Sequence, residues 1–208
     1  MRVITSFGPE GYREYGKKFL ETYLEFCDLP LTVYVEEDGL YPAGPEYRDF
    51  WSIPNSFFVG SVEPSKSWMH DVNKFCRKSF VQIDALRTFF EPVIWLDADI
   101  EFHAPASFPE PTGIQYMGRK DFHPCTSFVG FGMTDRAKFT DAYEDVYLSG
   151  GVFDLPEWHD AYVFDHIRKK TKVHSVDIAK AVGASGTQNV FDMVFPFAHH
   201  KKGALKNA

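Results

Sequence analysis

The chain has 208 residues, of which 44% are hydrophobic and 25% are charged. This length and balance fit one soluble globular domain with a sizeable core and exclude wholesale disorder. The net charge of −7 disfavours non-specific binding to nucleic acid. No apolar run is long enough to span a bilayer, the N-terminus lacks a signal-peptide pattern, and the three cysteines are widely spaced, so we expect a cytoplasmic protein.

Charge is unevenly spread along the chain. The segment from Ile167 to the C-terminus is strongly basic, whereas the longer segment before it is acidic. A basic segment on an acidic protein indicates a localised anionic ligand such as a phosphate group, or a solvated helix end followed by a polar tail. Charge alone leaves both interpretations open.

The first third of the chain predicts a β-α-β unit. Residues 2–7 read as a buried strand that is broken by the turn-forming segment Gly8-Pro9-Glu10-Gly11. A helical period over residues 12–27 follows, and then a second strand at residues 31–35. Such a unit favours a right-handed crossover and a parallel sheet. Residues 39–68 are rich in Pro, Gly and Ser and are expected to be irregular.

The remainder alternates between helical and strand patterns. The predicted helices cover residues 79–90, 135–148 and 159–170, and the predicted strands cover residues 93–96, 114–117, 127–133 and 173–178. No internal repeat or low-complexity linker divides the chain. The expected fold class is therefore α/β, with one domain whose central, mostly parallel sheet is flanked by helices.

The most apolar predicted strand, at residues 93–96, runs directly into Asp97-Ala98-Asp99. In an open α/β sheet, ligands bind beyond the carboxyl ends of the strands, where two carboxylates can hold a divalent cation. Alternate side chains of an extended segment point in opposite directions, so the chain must turn after Leu96 for both carboxylates to reach one ion. The pattern predicts a turn and a cation site, the alternative being a solvated strand end.

A second group of candidate ligands lies near the C-terminus, in the segment from His199-His200 to Gly203 and Lys206. A neutral imidazole is a competent ligand for Mn²⁺-like metals. A glycine lets the backbone approach a phosphate, and lysines neutralise the phosphate charge. The alternative is a disordered polar tail.

The strand ending in Trp-Leu-Asp-Ala-Asp-Ile, followed far downstream by His-x-x-Gly-x-x-Lys, resembles the nucleotide-sugar glycosyltransferases of the GT-A fold. The similarity is closest to the family 8 enzymes and to small bacterial or phage relatives. The resemblance implies a GT-A-like domain over residues 1–198 and a C-terminal tail of the same domain, residues 199–208, that binds metal and diphosphate. We expect this tail to be mobile until metal and nucleotide are bound, because ordering it costs conformational entropy.

The resemblance also implies roles for particular residues. Asp97, Asp99 and His200 would bind Mn²⁺ or Mg²⁺, with Asp97 also on the donor side. Gly203 and Lys206 would contact the donor diphosphate, Lys206 adding catalytic charge stabilisation.

Further correspondences are weaker. Thr5, Ser6 and Tyr12 fall where the family binds the nucleobase, and Lys78 falls near a basic residue that serves the donor. Asp160 falls near the acceptor and is the best candidate for orienting or deprotonating the acceptor hydroxyl. The chain departs from the family pattern by lacking a Gln after Asp160, an Asn near Ser127 and a Pro-Trp pair after the terminal lysine.

The expected function is transfer of a sugar from a nucleoside diphosphate sugar, preferentially a UDP-sugar, to an acceptor hydroxyl. The acceptor would be a glycan or a lipid-linked sugar, or a modified DNA base if the protein is phage-encoded. The DNA option depends on a basic patch formed by Lys66, Lys74, Arg77 and Lys78 together with the C-terminal segment. The alternatives are a non-catalytic protein that binds nucleotide or carbohydrate with a metal, a haloacid-dehalogenase-like phosphatase, and a nucleotidyltransferase.

One further segment, His123-Pro124-Cys125, combines two metal-binding residue types. No second Cys or His follows at a spacing typical of zinc sites. We therefore predict no zinc site from this motif.

Overall fold

The first strand of the chain lies in the interior of a seven-stranded sheet, next to the central strand. The computed structural model describes residues 1–63, 65–184 and 190–201. Its strands are β1 (Arg2–Phe7), β2 (Leu31–Val35), β3 (Glu46–Asp49), β4 (Val93–Leu96), β5 (Ile100–Phe102), β6 (Ile114–Arg119), β7 (Phe122–Phe131), β8 (Ser175–Asp177) and β9 (Ala198–His200). The order in the large sheet is β3-β2-β1-β4-β7-β6-β8, and β5 and β9 form a separate antiparallel pair.

Helices connect and cover these strands. They are α1 (Pro9–Gly11), α2 (Lys17–Phe26), α3 (Phe57–Ser61), α4 (Val72–Thr88), α5 (Arg136–Leu148), α6 (Asp160–Thr171), α7 (Ile178–Ala181) and α8 (Val190–Val194). A π-helical turn, Tyr12–Gly16, joins α1 to α2, and short 3₁₀ helices occupy Phe50–Ser52, Trp68–His70 and Gly151–Asp154. The described residues thus form an α/β domain with helices on both faces of a mostly parallel sheet, as the sequence predicts.

Only β7 runs against its neighbours in the large sheet. It pairs antiparallel with β4 on one side and with β6 on the other, whereas the remaining neighbouring strands pair parallel. The amino end of β7 therefore lies at the same edge of the sheet as the carboxyl ends of the parallel strands. Residues at the start of β7 can consequently face residues that follow β1 and β4.

Two apolar layers hold the sheet between its helices. Successive side chains of β4 alternate between them, with Trp95 in the layer formed with α4, α5 and α6, and Leu96 in the layer formed with α2 and α8. Each fully buried aliphatic or aromatic side chain contributes roughly 1.5–3 kcal/mol relative to its exposure to water. The alternation fixes which face of the sheet each side chain of β4 meets, and it places Trp95 beside α4.

Helix α4 begins earlier than the sequence analysis predicts. The predicted start was residue 79, but the helix begins at Val72, where the Asp71 carboxylate accepts a hydrogen bond from Lys74 N at 3.2 Å. The first two turns already carry apolar residues at helical spacing, Val72, Phe75 and Cys76, among polar ones, so the apolar period itself extends back to the true start of the helix. The Asp71 cap was a second available signal.

The expectation of an irregular segment over residues 39–68 was wrong in part. This segment contains β3, a 3₁₀ turn and α3. Strand β3 has the sequence Glu-Tyr-Arg-Asp, without an apolar alternation, because it is an edge strand held by its backbone pairing with β2. Among the described residues, no helix combines the length and the hydropathy that crossing a bilayer requires.

Candidate functional site

The order of the sheet strands creates a crevice between β1 and β4. From β1 the chain moves outward to β2 and β3 and then returns to β4 on the other side of β1. Ligands of open α/β sheets bind at such a switch point, beyond the carboxyl ends of the strands. Ser6 and Gly8 lie at the end of β1, and Asp97 follows β4 directly, so the topology brings these segments together.

The chain turns after β4, as the Asp97-Ala98-Asp99 motif predicts. Ala98 and Asp99 form a turn before β5 begins at Ile100. Asp97 N donates a hydrogen bond to Ser127 O at 2.9 Å, which ties the start of the turn to β7. Both carboxylates consequently approach one side chain, that of His200: Nε2 lies 2.9 Å from Asp99 Oδ1 and 3.8 Å from Asp97 Oδ2.

His200 reaches this position through strand pairing. Strand β9 pairs antiparallel with β5 in a register that places His200 opposite Ile100. Lys201 N donates to Asp99 O at 2.9 Å, and the Asp192 carboxylate on α8 accepts from His200 N at 3.0 Å. These bonds fix the imidazole beside the two carboxylates, and the three ligand atoms lie within 4.8 Å of one another.

The carboxylates determine the protonation state of His200. Burial lowers the pKa of His200, but the hydrogen bonds with the Asp99 and Cys125 side chains and the charges of Asp99 and Asp97 outweigh it and raise the pKa to about 9. Without a cation the imidazole therefore carries a proton at neutral pH and pairs with the carboxylates. A divalent cation and that proton compete for the same nitrogen lone pair.

The second carboxylate oxygen of Asp97, Oδ1, is hydrogen-bonded within the protein. Asp97 Oδ1 accepts hydrogen bonds from Trp95 Nε1 at 2.7 Å and from Lys78 Nζ at 2.8 Å. Asp97 Oδ2 is left on the side of His200. The indole and the ammonium thus orient the carboxylate so that one oxygen is held by the protein and the other faces the Asp99–His200 pair.

Lys78, on α4, is the central cation of the site. Its ammonium lies 2.9 Å from Asp160 Oδ2, donates to Thr126 O at 2.6 Å and sits 5.2 Å from the centre of the Trp95 ring. Burial alone would lower the pKa of Lys78, but the charges and hydrogen bonds of Asp160 and Asp97 raise it above its ordinary value. Lys78 is therefore a permanent cation that joins the two carboxylates.

Asp160 begins helix α6 and points toward the same crevice. Its Oδ2 accepts from Thr126 Oγ1 at 2.6 Å, so the residue is held by β7 as well as by Lys78. Burial would raise the pKa of Asp160, but Lys78 and the Thr126 hydroxyl hold that pKa below its ordinary value. The first position of a helix also favours a carboxylate, and the residue is thus fully ionised at neutral pH.

Two adjoining cavities open beside these residues. The smaller, ≈ 230 Å³, is lined by Asp97, Asp99 and Asp160, and the larger, ≈ 500 Å³, lies beyond the end of β1. They share four lining residues: Ser6, Tyr15, Lys74 and Lys78. The larger cavity falls within the range of about 300–1,000 Å³ that is usual for small-molecule sites.

The residues predicted to meet a nucleobase fall in different places. Ser6 lines both cavities, as expected for a residue at the end of β1. Thr5 is fully buried within the sheet, and Tyr12 packs against Phe7 and Tyr41 at ring distances of 5.3 and 5.0 Å, away from both cavities. Thr5 and Tyr12 are therefore not brought to the site.

Tyr15, rather than Tyr12, lines the two cavities. Burial together with the charge of Asp99 raises the pKa of the Tyr15 phenol to about 12. The π-helical turn Tyr12–Gly16 rotates this part of the helix relative to a regular α-helix, so the sequence period did not distinguish Tyr15 from Tyr12.

The predicted tail is described only in part. His199 and His200 belong to β9, and the side chain of His200 is 7% exposed. That the tail is mobile until metal and nucleotide are bound stays a prediction. Gly203 and Lys206, together with the rest of residues 202–208, lie outside the described residues. Their predicted contact with a diphosphate therefore stays a prediction.

The donor set of the Asp97–Asp99–His200 cluster fits a divalent cation. Two carboxylate oxygens from the turn after β4 and one imidazole nitrogen from β9 converge next to the two joined cavities. Oxygen ligands with one imidazole suit Mn²⁺ and tolerate Mg²⁺. In comparisons with known proteins, no family model and no curated protein sequence matches this chain.

Proposed function

We propose that the protein is a Mn²⁺- or Mg²⁺-dependent glycosyltransferase that moves a sugar from a nucleoside diphosphate sugar to an acceptor hydroxyl. One observation carries the proposal: Asp97, Asp99 and His200 converge at the β1/β4 switch point, beside two joined cavities. A UDP-sugar is the donor we favour, on the resemblance of the Asp97–Asp99 and His200 motifs to GT-A enzymes. An ion held by these three residues would supply positive charge to the leaving diphosphate.

The protein's own side chains supply the remaining charge. Lys74 is exposed at the rim of both cavities, within reach of an anionic ligand that occupies them. Lys78 is already paired with two carboxylates, so its charge serves mainly to orient Asp97 and Asp160 rather than to bind phosphate. We propose that Lys206 adds a further cation from the tail, as the terminal motif implies.

Asp160 is suited to orient an acceptor rather than to remove its proton. A general base works best when its pKa is close to the working pH, whereas the pKa of Asp160 is held below its ordinary value. An ionised carboxylate at this point accepts a hydrogen bond from an acceptor hydroxyl and fixes its direction. This role agrees with a retaining mechanism, which the family 8 resemblance implies and which requires no separate base on the far face.

A glycan or a lipid-linked sugar is the acceptor we favour. The alternative, a modified DNA base, requires a continuous basic patch that includes Arg77 and Lys78. Arg77 Nη1 lies 3.0 Å from Glu36 Oε1, and Lys78 is paired with Asp97 and Asp160. These pairings remove two of the charges on which a DNA-binding patch would depend.

The proposal is tested by thermal shift with a panel of nucleoside diphosphate sugars, each with and without Mn²⁺. The correct donor raises the melting temperature only when Mn²⁺ is present, since a ligand that binds the folded state stabilises it by mass action. Slow release of free sugar from that donor then separates an enzyme from a non-catalytic binding protein. A panel in which no donor shifts the transition with either ion would overturn the proposed function.

A further inference from the structure

A second group of metal-binding side chains lies one residue away from Asp160. Glu157 Oε2 lies 2.7 Å from His159 Nε2 and 3.2 Å from His123 Nε2. The three ligand atoms lie within 4.8 Å of one another. None of them belongs to the Asp97–Asp99–His200 cluster.

The fold assembles this group from two distant parts of the chain. His123 stands at the amino end of β7, while Glu157 and His159 come from the loop that leads into α6. That loop is fixed to the 3₁₀ turn Trp68–His70, because Trp158 N donates to Met69 O at 2.7 Å and the His70 ring meets Pro156 O at 3.1 Å. The three side chains are therefore held by an anchored backbone.

We propose that His123, Glu157 and His159 form a second divalent-cation site, of the class that prefers Zn²⁺. Two imidazoles and one carboxylate are a donor set that proteins use for zinc, with a remaining position for water. Ligands at about 2.0–2.1 Å from a tetrahedral ion are separated by roughly 3.3 Å, close to the 3.2 Å between His123 and Glu157. To reach this separation, the distance between Glu157 Oε2 and His159 Nε2 has to increase by about half an ångström from 2.7 Å.

The surroundings favour a bound ion with restricted access to water. The His159 side chain is 7% exposed, whereas those of Glu157 and His123 are 21% and 34% exposed, so the group opens to solvent on one side. Aromatic rings cover the other sides, with Trp68 5.2 Å from the His159 ring and Tyr162 5.0 Å from the His123 ring. An apolar surround strengthens the attraction between the cation and its ligands.

Binding has one structural cost. His159 Nδ1 accepts a hydrogen bond from Tyr162 N at 3.4 Å, which caps α6. When Nε2 binds an ion, the proton of the neutral ring resides on Nδ1, which then no longer accepts this bond. We expect the Tyr162 amide to exchange its hydrogen faster with Zn²⁺ than without it, while the rest of α6 is more protected.

This site links two elements that carry residues of the crevice. Thr126, three residues after His123 on β7, donates to Asp160, which directly follows His159 on α6. An ion held at the second site would join these two elements by a further connection. The inference stands independently of the proposed glycosyltransferase function, since its ligands and its readouts are separate from those of the first site.

The test uses an Asp99→Asn protein, in which the first cluster has lost a ligand, and measures Zn²⁺ stoichiometry by equilibrium dialysis and by calorimetry. We expect one Zn²⁺ per chain. Adding His123→Gln or Glu157→Gln should lower the Zn²⁺ affinity by at least about tenfold. His166→Gln, which removes a histidine on α6 outside the cluster, should leave the affinity unchanged.

Co²⁺ gives a second readout, because a four-coordinate site with nitrogen ligands produces a strong visible absorption. This absorption should be present in the Asp99→Asn protein and lost on His123→Gln, whose partly exposed side chain can be replaced without emptying the core. Absence of Zn²⁺ from the folded Asp99→Asn protein would overturn the proposal. An undiminished Zn²⁺ affinity in both the His123→Gln and the Glu157→Gln proteins would overturn it equally.

Discussion

Lys78 Nζ lies 2.9 Å from Asp160 Oδ2, and the same ammonium lies 2.8 Å from Asp97 Oδ1. One largely buried cation thus joins a carboxylate of the candidate metal cluster to the carboxylate that we assign to the acceptor side. Replacing either carboxylate or the ammonium changes the charge balance of the other two. The predictions for these residues are therefore coupled, and single substitutions need matched controls.

Lys78→Met should destabilise the protein in a pH-dependent manner. Removing one partner of a buried ion pair costs about 3–5 kcal/mol when a charge is left uncompensated. In the parent the pKa of Asp160 is below its ordinary value of 3.8, so its contribution to stability is present above that pH and is lost as the pH falls through the lowered pKa. Without Lys78, burial raises the pKa of Asp160, and protonation relieves the penalty.

The difference in unfolding free energy between parent and Lys78→Met should accordingly be largest near pH 7 and smaller near pH 4.5. Urea unfolding at several pH values measures it. Lys74→Met, an exposed position one turn earlier on α4, should show little change at either pH. A destabilisation by Lys78→Met that does not vary with pH would contradict the assigned charge coupling.

Asp160→Asn should reduce sugar transfer by roughly 10²-fold, and hydrolysis of the donor much less, because the carboxylate orients the acceptor. Lys78 keeps Asp97 as a partner, so we expect the stability loss to be only about 1–3 kcal/mol. Asp165→Asn, which breaks ion pairs with Arg168 and Lys169 on the same helix, is the matched control and should leave the ratio of transfer to hydrolysis unchanged. Equal losses of both activities in Asp160→Asn would indicate that Asp160 acts on the donor rather than on the acceptor.

Asp99→Asn should abolish metal-dependent donor binding while the fold stays intact. The substitution removes a charged oxygen 2.9 Å from His200 Nε2 without removing volume from the core. We expect Mn²⁺ affinity to fall by at least about 100-fold. Glu101→Gln, two residues further and paired with Lys201 at 3.8 Å, should retain Mn²⁺ binding. Calorimetric titration with Mn²⁺ compares the two, and parent-like donor turnover by Asp99→Asn would refute the metal assignment.

Two truncated chains test separately the role of β9 and the role of the residues that follow it. A chain that ends at Lys201 keeps β9 and should retain Mn²⁺ affinity, but it should bind the nucleotide at least tenfold more weakly because it lacks Gly203 and Lys206. A chain that ends at Phe197 also loses the pairing of β9 with β5 and should melt at a lower temperature without any ligand. Full transfer activity in the longer truncated chain would show that Gly203 and Lys206 have no role.

The local sequence pattern was sufficient to predict the strands and the turn that form the crevice. The buried strands β1, β2 and β4, and the turn that Asp97 and Asp99 require, were predictable because strand burial and side-chain alternation act over a few residues. Local signals also marked the true start of α4, through the Asp71 cap and the apolar spacing that follows it. The position of Tyr15 was not predictable in this way, because a π-helical turn changes which residue faces the cavity.

The sequence by itself determined that the protein is an α/β domain with two carboxylates at the end of its most apolar strand. The resemblance of the motifs implied that His200 joins them, but only the tertiary structure decided which strand pairing brings it there, that Lys78 is shared between Asp97 and Asp160, and that His123 meets Glu157 and His159. Each of these contacts depends on strand register and helix placement between segments far apart in the chain. Local periodicity carries no information about such distances, whereas the pairing of β5 with β9 and of β4 with β7 sets them directly.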